Sequence, residues 1–191
     1  MDLGKTLLVV IGAGAFIVVV LVIWFIGTYN SLVAASQDVN AQWSQVENQY
    51  QRRADLIPNL VATVQGYAKH ESSTFEEVTA ARSQWAGAKT QDDKMKAATQ
   101  MDSALSRLMV VVEAYPDLKA STSFTTLQAQ LEGTENRIST ERMRYNDVVR
   151  DYNVKIKGIP TSIVADIYGY KDKPFFEAVA GAENAPKVNF T

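Results

Sequence analysis

The sequence predicts an all-α protein in which one transmembrane helix continues into an antiparallel four-helix bundle with long first and fourth helices. Three observations predict this. Thr6 to Ile26 is a run of twenty-one residues without a charge. At a helical rise of about 1.5 Å per residue it reaches roughly 31 Å, one bilayer hydrocarbon core. Downstream, apolar residues recur by threes and fours almost everywhere, the spacing of amphipathic helices, and no strand-like alternation competes.

A secretory signal is the competing account of the apolar run. The run exceeds the usual h-region of about 7–15 residues. Gly27-Thr28-Tyr29-Asn30-Ser31-Leu32 offers no clear small-x-small cleavage site, and no cysteine is present to carry a lipoprotein anchor. A retained, single-pass anchor over 6–26 is therefore expected after a short segment 1–5. Trp24, Phe25 and Tyr29 cluster at its downstream end, where amphipathic rings favour the membrane interface. Lys5 and the amino terminus lie on the short side, whereas the first cation on the long side is the distant Arg52. That bias favours a cytoplasmic N-terminus and an exported body.

The first soluble helix is expected to leave the membrane without a break. Val39, Trp43, Val46, Tyr50, Arg53, Ile57, Leu60, Val64 and Tyr67 form its inner seam. Pro58 lies inside this series; it removes one backbone donor, so a kink near Ala54 to Pro58 is expected rather than an end. Ser73-Thr74-Phe75-Glu76 has the pattern of a capping box and predicts the start of a second helix with Phe75, Val78, Arg82 and Trp85 inside. Thr90-Gln91-Asp92-Asp93 predicts the next cap, and Ala98, Met101, Leu105, Leu108, Val112 and Tyr115 the third stripe, closed by Pro116. The fourth helix is expected from about Ser123 to Lys157. Its stripe is Phe124, Leu127, Leu131, Thr134, Ile138, Glu141, Tyr145, Val148, Tyr152 and Ile156, and Gly158-Ile159-Pro160 stops it. Thr161 to Tyr168 adds a helical turn or two. Short connections put neighbouring helices antiparallel. The bundle is thus expected over 27–168, followed by a loosely ordered tail over 169–191.

Composition narrows the function. The chain holds 19 Lys and Arg against 21 Asp and Glu, and the two signs are mixed without a basic stripe. Nucleic-acid binding therefore has no electrostatic footprint. Zero cysteines and the single histidine, His70, exclude thiolate metal sites, histidine pairs and zinc clusters. A protein without catalytic residues or cofactors is expected.

Several charges nevertheless fall on inner stripes. Arg53, Arg82 and Glu141 lie on them, Glu71 lies at a helix boundary, and Glu135 is close by. Charges are rarely buried unpaired, so an internal layer of Arg–Glu pairs is expected, completed by Thr134, Asn136 and Tyr145. Such a layer adds little net stability but fixes helix register. A di-metal carboxylate site is disfavoured, because those bundles use two Glu-x-x-His motifs and this chain has none. Met109, Val110, Val111 and Val112 are apolar on more than one helix face. They fit either local burial or contact between copies. Phe175 and Phe176 are expected to tuck back onto the body, since exposed paired aromatics invite aggregation.

Particular blocks carry a family resemblance. They include Tyr29-Asn30-Ser31-Leu32-Val33, Arg52-Arg53-Ala54-Asp55-Leu56-Ile57-Pro58-Asn59-Leu60-Val61 and Tyr115-Pro116-Asp117-Leu118-Lys119. Leu131-Glu132-Gly133-Thr134-Glu135-Asn136-Arg137-Ile138, Arg142-Met143-Arg144-Tyr145-Asn146, Tyr152-Asn153 and Lys173-Pro174-Phe175-Phe176 follow in order. Together they resemble the LemA family over essentially the whole chain. The resemblance implies a protein of the bacterial inner membrane, anchored once in the lipid bilayer and bearing a helical bundle without catalytic residues. Its relatives include a magnetosome protein implicated in membrane shaping, and members are associated with membrane metalloproteases and TPM-domain partners. Two functions are thus expected as alternatives. One is a homo-oligomeric scaffold that shapes the membrane, and the other an adapter for a membrane protease or other envelope partner.

Overall fold

The computed structural model describes residues 3–176, with the side chains of Leu3 and Lys5 left aside. Among these residues the chain is all-helical, with no strand. Helix α1 runs from Leu3 to Gln65, α2 from Ser72 to Gly87, and α3 from Gln91 to Glu113. A single turn, α4, spans Pro116–Lys119, followed by α5 over Thr122–Lys157 and α6 over Thr161–Tyr168. The residues divide into two compact units, Met1–Gln42 with Asn146–Lys173 and Trp43–Tyr145 with Pro174–Thr191.

In the first unit, α1 begins as the apolar run. It is long and apolar enough to cross a membrane, and its residues 6–24 are exposed. Burial begins beyond that run, at Leu32 and Val39, and these belong with Val149, Tyr152 and Ile156 of α5 and Val164 and Ala165 of α6. The stripe of α5 passes through Val149 rather than the expected Val148, which is half-buried. Helix α5 ends one residue before Gly158, and α6 ends on Gly169 in the left-handed region (φ 71°), a conformation that costs glycine nothing.

The segment after α6 departs from the loose order expected from residue 169. Tyr152 donates its hydroxyl proton to the Lys171 carbonyl at 3.1 Å. Asn153 uses both ends of its amide on Lys173: Nδ2 donates to the carbonyl at 2.9 Å and Oδ1 accepts from the backbone N–H at 2.9 Å. Polar partners on α5 thus replace the missing periodicity. The rest of the expected tail, 177–191, lies outside the described residues.

In the second unit the predicted seams are buried with few exceptions. Val46, Tyr50, Ile57, Leu60 and Val64 of α1, Phe75, Val78 and Trp85 of α2, and Ala98, Met101, Leu105, Leu108 and Val112 of α3 all face inward. So do Phe124, Leu131, Ile138 and Tyr145 of α5. Tyr67 is exposed instead, because α1 has ended at Gln65 and Ala68 takes the inner place. Thr90 caps α3 as its spacing predicts, accepting from the Asp93 N–H at 3.1 Å. The predicted box at Ser73 is not used. Helix α2 starts two residues earlier than that box places it, with Glu71 at the cap position and no side-chain cap bond.

Candidate functional site

Two buried or half-buried arginines of the second unit converge on Asp102, in α3. Its Oδ1 accepts from Nη1 of Arg53, which α1 places on the buried seam between Tyr50 and Ile57. Its Oδ2 accepts from Nη2 of Arg142, on α5, at 2.8 Å and from the Tyr50 hydroxyl at 3.2 Å. Arg142 also donates to the Tyr50 oxygen, and the second terminal nitrogen of Arg53 pairs with Glu135. Two arginines therefore meet two carboxylates, and the cluster is neutral. Neutrality is what allows such a group of charges to leave water.

Aromatic rings close the cluster. The Tyr50 and Trp85 rings lie 4.9 Å apart, and the guanidinium of Arg142 sits 5.2 Å from the centre of the Tyr50 ring and 4.9 Å from that of Phe176. Phe176 in turn stacks on Trp43 at 5.6 Å and meets Tyr145 edge-on at 5.5 Å. Its position agrees with tucking back; Phe175 stays partly exposed. Tyr145 accepts from Gln91 and donates to the Pro174 carbonyl at 3.0 Å.

Burial, reinforced by Asp102, pushes the Tyr50 hydroxyl well above its ordinary value. Burial likewise pushes Tyr145 up to about 12. The Arg53 guanidinium is lowered by the same loss of solvent, opposed by Asp102; guanidinium groups remain protonated at neutral pH all the same.

The expected polar layer is placed differently in several respects. Arg53 and Glu135 come together, but Asp102 and Arg142, which the sequence reading did not select, form the centre. Arg82 serves another purpose: its Nε donates to the Ala54 carbonyl at 3.0 Å. Glu71 accepts from the Tyr115 hydroxyl at 3.3 Å, and Glu141 pairs along its own helix with Arg144 at 2.9 Å. Helix α1 continues through Pro58 to Gln65. Of the apolar run in α3, Val110 is 73 % exposed, Met109 and Val111 are half-buried, and Val112 is in the core. Val112 is therefore withdrawn from any contact surface. His70 is exposed in the turn after α1, and no group of three or more His, Cys, Asp or Glu able to hold a metal occurs among the described residues.

A cue to Asp102 and Arg142 was present. Asp102 is four residues past Ala98 and three before Leu105; Arg142 is four past Ile138 and three before Tyr145. Both satisfy the helical spacing as well as their neighbours Met101 and Glu141 do.

These elements define an all-helical protein with one helix apolar enough to span a bilayer and a neutral, charge-paired interior. The LemA family sequence profile matches residues 42–190, and the chain belongs to the LemA family. It is similar to Magnetosome protein MamQ 2 of Paramagnetospirillum magneticum, with 29 % identity over 186 residues, covering 82 % of this chain and 68 % of that protein. Magnetosome protein MamQ of Magnetospirillum gryphiswaldense is 27 % identical over 174 residues, covering 78 % of this chain and 64 % of its own length. Protein LemA of Metamycoplasma hominis is 26 % identical over 157 residues, covering 81 % of this chain and 71 % of that protein.

Proposed function

We propose that this protein is a non-enzymatic, single-pass membrane protein whose body, an antiparallel four-helix bundle, self-associates to scaffold or shape the bilayer. The observation that carries the reading is helix α1, which leaves the apolar run and enters the packed body as one helix from Leu3 to Gln65. A continuous helix couples the apolar run to its first packed residues, Leu32 and Val39, which a flexible linker does not. The charged residues of the interior fit a structural role, because Arg53, Asp102, Glu135 and Arg142 pair with one another through their terminal nitrogens and carboxylate oxygens. The likeness to magnetosome proteins fits work at a membrane. The N-terminus is assigned to the cytoplasm and the body to the outer side of the bacterial inner membrane.

Imaging of the full chain in lipid nanodiscs tests the scaffold. Particles with several copies are expected; a monomer at all concentrations would favour an adapter for a membrane protease or another envelope protein. Reporter fusions at the two termini test the topology, with a cytoplasmic C-terminal reporter reversing it.

A further inference from the structure

Helix α6 is apolar on a side that none of the described residues covers. Val164 and Ala165 are buried, yet Ile163 and Ile167 are 58 % and 64 % exposed, and Ile159 before the helix is 89 % exposed. A step of four puts Ile163 and Ile167 in a row on one side of α6, and Ile159 lies just before the helix, next to its cap residue Pro160. The depth of this row is fixed at both ends. Tyr168, at the end of α6, packs its ring 4.5 Å from Tyr29 and 6.2 Å from Phe25. Lys155, near the end of α5, reaches the Ser31 carbonyl at 3.3 Å. Phe25 to Ser31 is about 9 Å of helix, and it begins inside the last residues of the apolar run. A headgroup layer is about 5–8 Å deep on each side of the hydrocarbon.

We propose that α6, with Ile159, is a second membrane contact: an interfacial helix that lays Ile159, Ile163 and Ile167 into the bilayer surface beside the anchor. This rests on the anchoring reading above. A helix held at that depth with an open apolar side matches what interfacial helices bury, and Tyr29 and Tyr168 supply rings that prefer the same layer. The bilayer is favoured over a second copy because both tethers hold the row at the edge of the span rather than out along the body's own surface. The consequence is a two-point attachment. A lone helix rotates and tilts freely about its axis, whereas the added contact fixes which side of α1 faces the lipid surface.

The chain has no cysteine, so single labels are unambiguous. Full-length Ile163→Cys, Ile167→Cys, Val20→Cys and Asp147→Cys carry an environment-sensitive nitrobenzoxadiazole dye in nanodiscs of phosphatidylcholine and phosphatidylglycerol. Asp147 is an exposed control about three turns before the end of α5. Dyes at 163 and 167 are expected to emit at shorter wavelength and to lose intensity when nitroxide lipids are included, and the dye at 147 to do neither. Quenching at 20 with water-like emission at 163 and 167 overturns this proposal and leaves the anchor standing. No quenching at 20 overturns the anchor and the proposal together. Blue-shifted emission at 163 and 167 that nitroxide lipids do not quench means a protein neighbour covers the row, and also overturns it.

Discussion

Arg82 donates to the carbonyl of Ala54, the acceptor that Pro58 leaves without a helical partner. A residue in α1 normally receives a hydrogen bond at its carbonyl from the N–H four positions on, and proline has none. Ala54 is buried, so water is a poor substitute. The guanidinium of α2 fills the gap with a charge-assisted bond. The proline and the arginine, twenty-four positions apart, are two halves of one joint, and that joint sets where α2 sits along α1.

Pro58→Ala restores the donor and makes Arg82 dispensable. In a double-mutant cycle, Arg82→Met is expected to cost about 1.5–3 kcal/mol in the parent and clearly less in the Pro58→Ala background. Denaturant unfolding measures both. Equal costs in the two backgrounds would mean that the bond between Arg82 and Ala54 is unrelated to the proline.

Asp102 and Glu135 both pair with Arg53, but their worth differs with exposure. The Asp102 side chain is 18 % exposed and serves two guanidinium groups, whereas Glu135 is 52 % exposed. Asp102→Asn strands buried charge and is expected to cost about 3–5 kcal/mol. Glu135→Gln removes a pair largely screened by water, at about 0–1 kcal/mol. Thermal melts of the two variants rank them; a larger loss for Glu135→Gln contradicts the assignment of Asp102 as the hub.

Raised tyrosines make the body sensitive to alkali. The hydroxyl of Tyr145 titrates near 10 when unfolded and about 12 when folded. A raised folded value gives stability that is complete below the unfolded pKa and is lost as pH rises toward the folded one. The melting temperature should therefore fall between pH 10 and 12, with Tyr50 acting in the same direction. Tyr145→Phe should be less stable at neutral pH, having lost its bond to the Pro174 carbonyl, but should show a shallower alkaline fall.

Val110 and Val112 separate contact from packing. Val110→Glu is expected to leave the melt unchanged within about 0.5 kcal/mol, as surface changes do, while reducing particle size in nanodiscs. Val112→Glu buries an unpaired carboxylate and should unfold the body. An unchanged particle size for Val110→Glu removes this surface from the proposed assembly.

The helices were legible because each buries one continuous stripe, and a stripe is a local, periodic signal. Val39 through Val64 and Phe124 through Tyr145 illustrate it. The polar interior was legible only in part. Periodicity marks a face about two residues wide, so Met101 and Asp102, or Glu141 and Arg142, satisfy it equally. Which member turns inward depends on the charge that waits across the gap, and that is a property of another helix. The role of Arg82 was hidden for a related reason: its partner is a backbone carbonyl, which every residue possesses and no sequence displays. The anchoring of residues 171–173 was missed because it uses two side chains and no period at all.

That last attachment has an unusual logic. Asn153 offers Lys173 a donor and an acceptor on neighbouring atoms, and Lys173 answers with its own carbonyl and N–H. This is the exchange by which one residue of an antiparallel β-ladder greets its opposite number, performed here by a side chain in an otherwise helical molecule. The primary amide is thus a one-residue strand edge. It reads the peptide unit and is blind to the side chain, so position 173 should accept most replacements but not proline, which lacks the N–H. Position 153 should be far more restricted: aspartate keeps the acceptor and loses the donor, and leucine loses both.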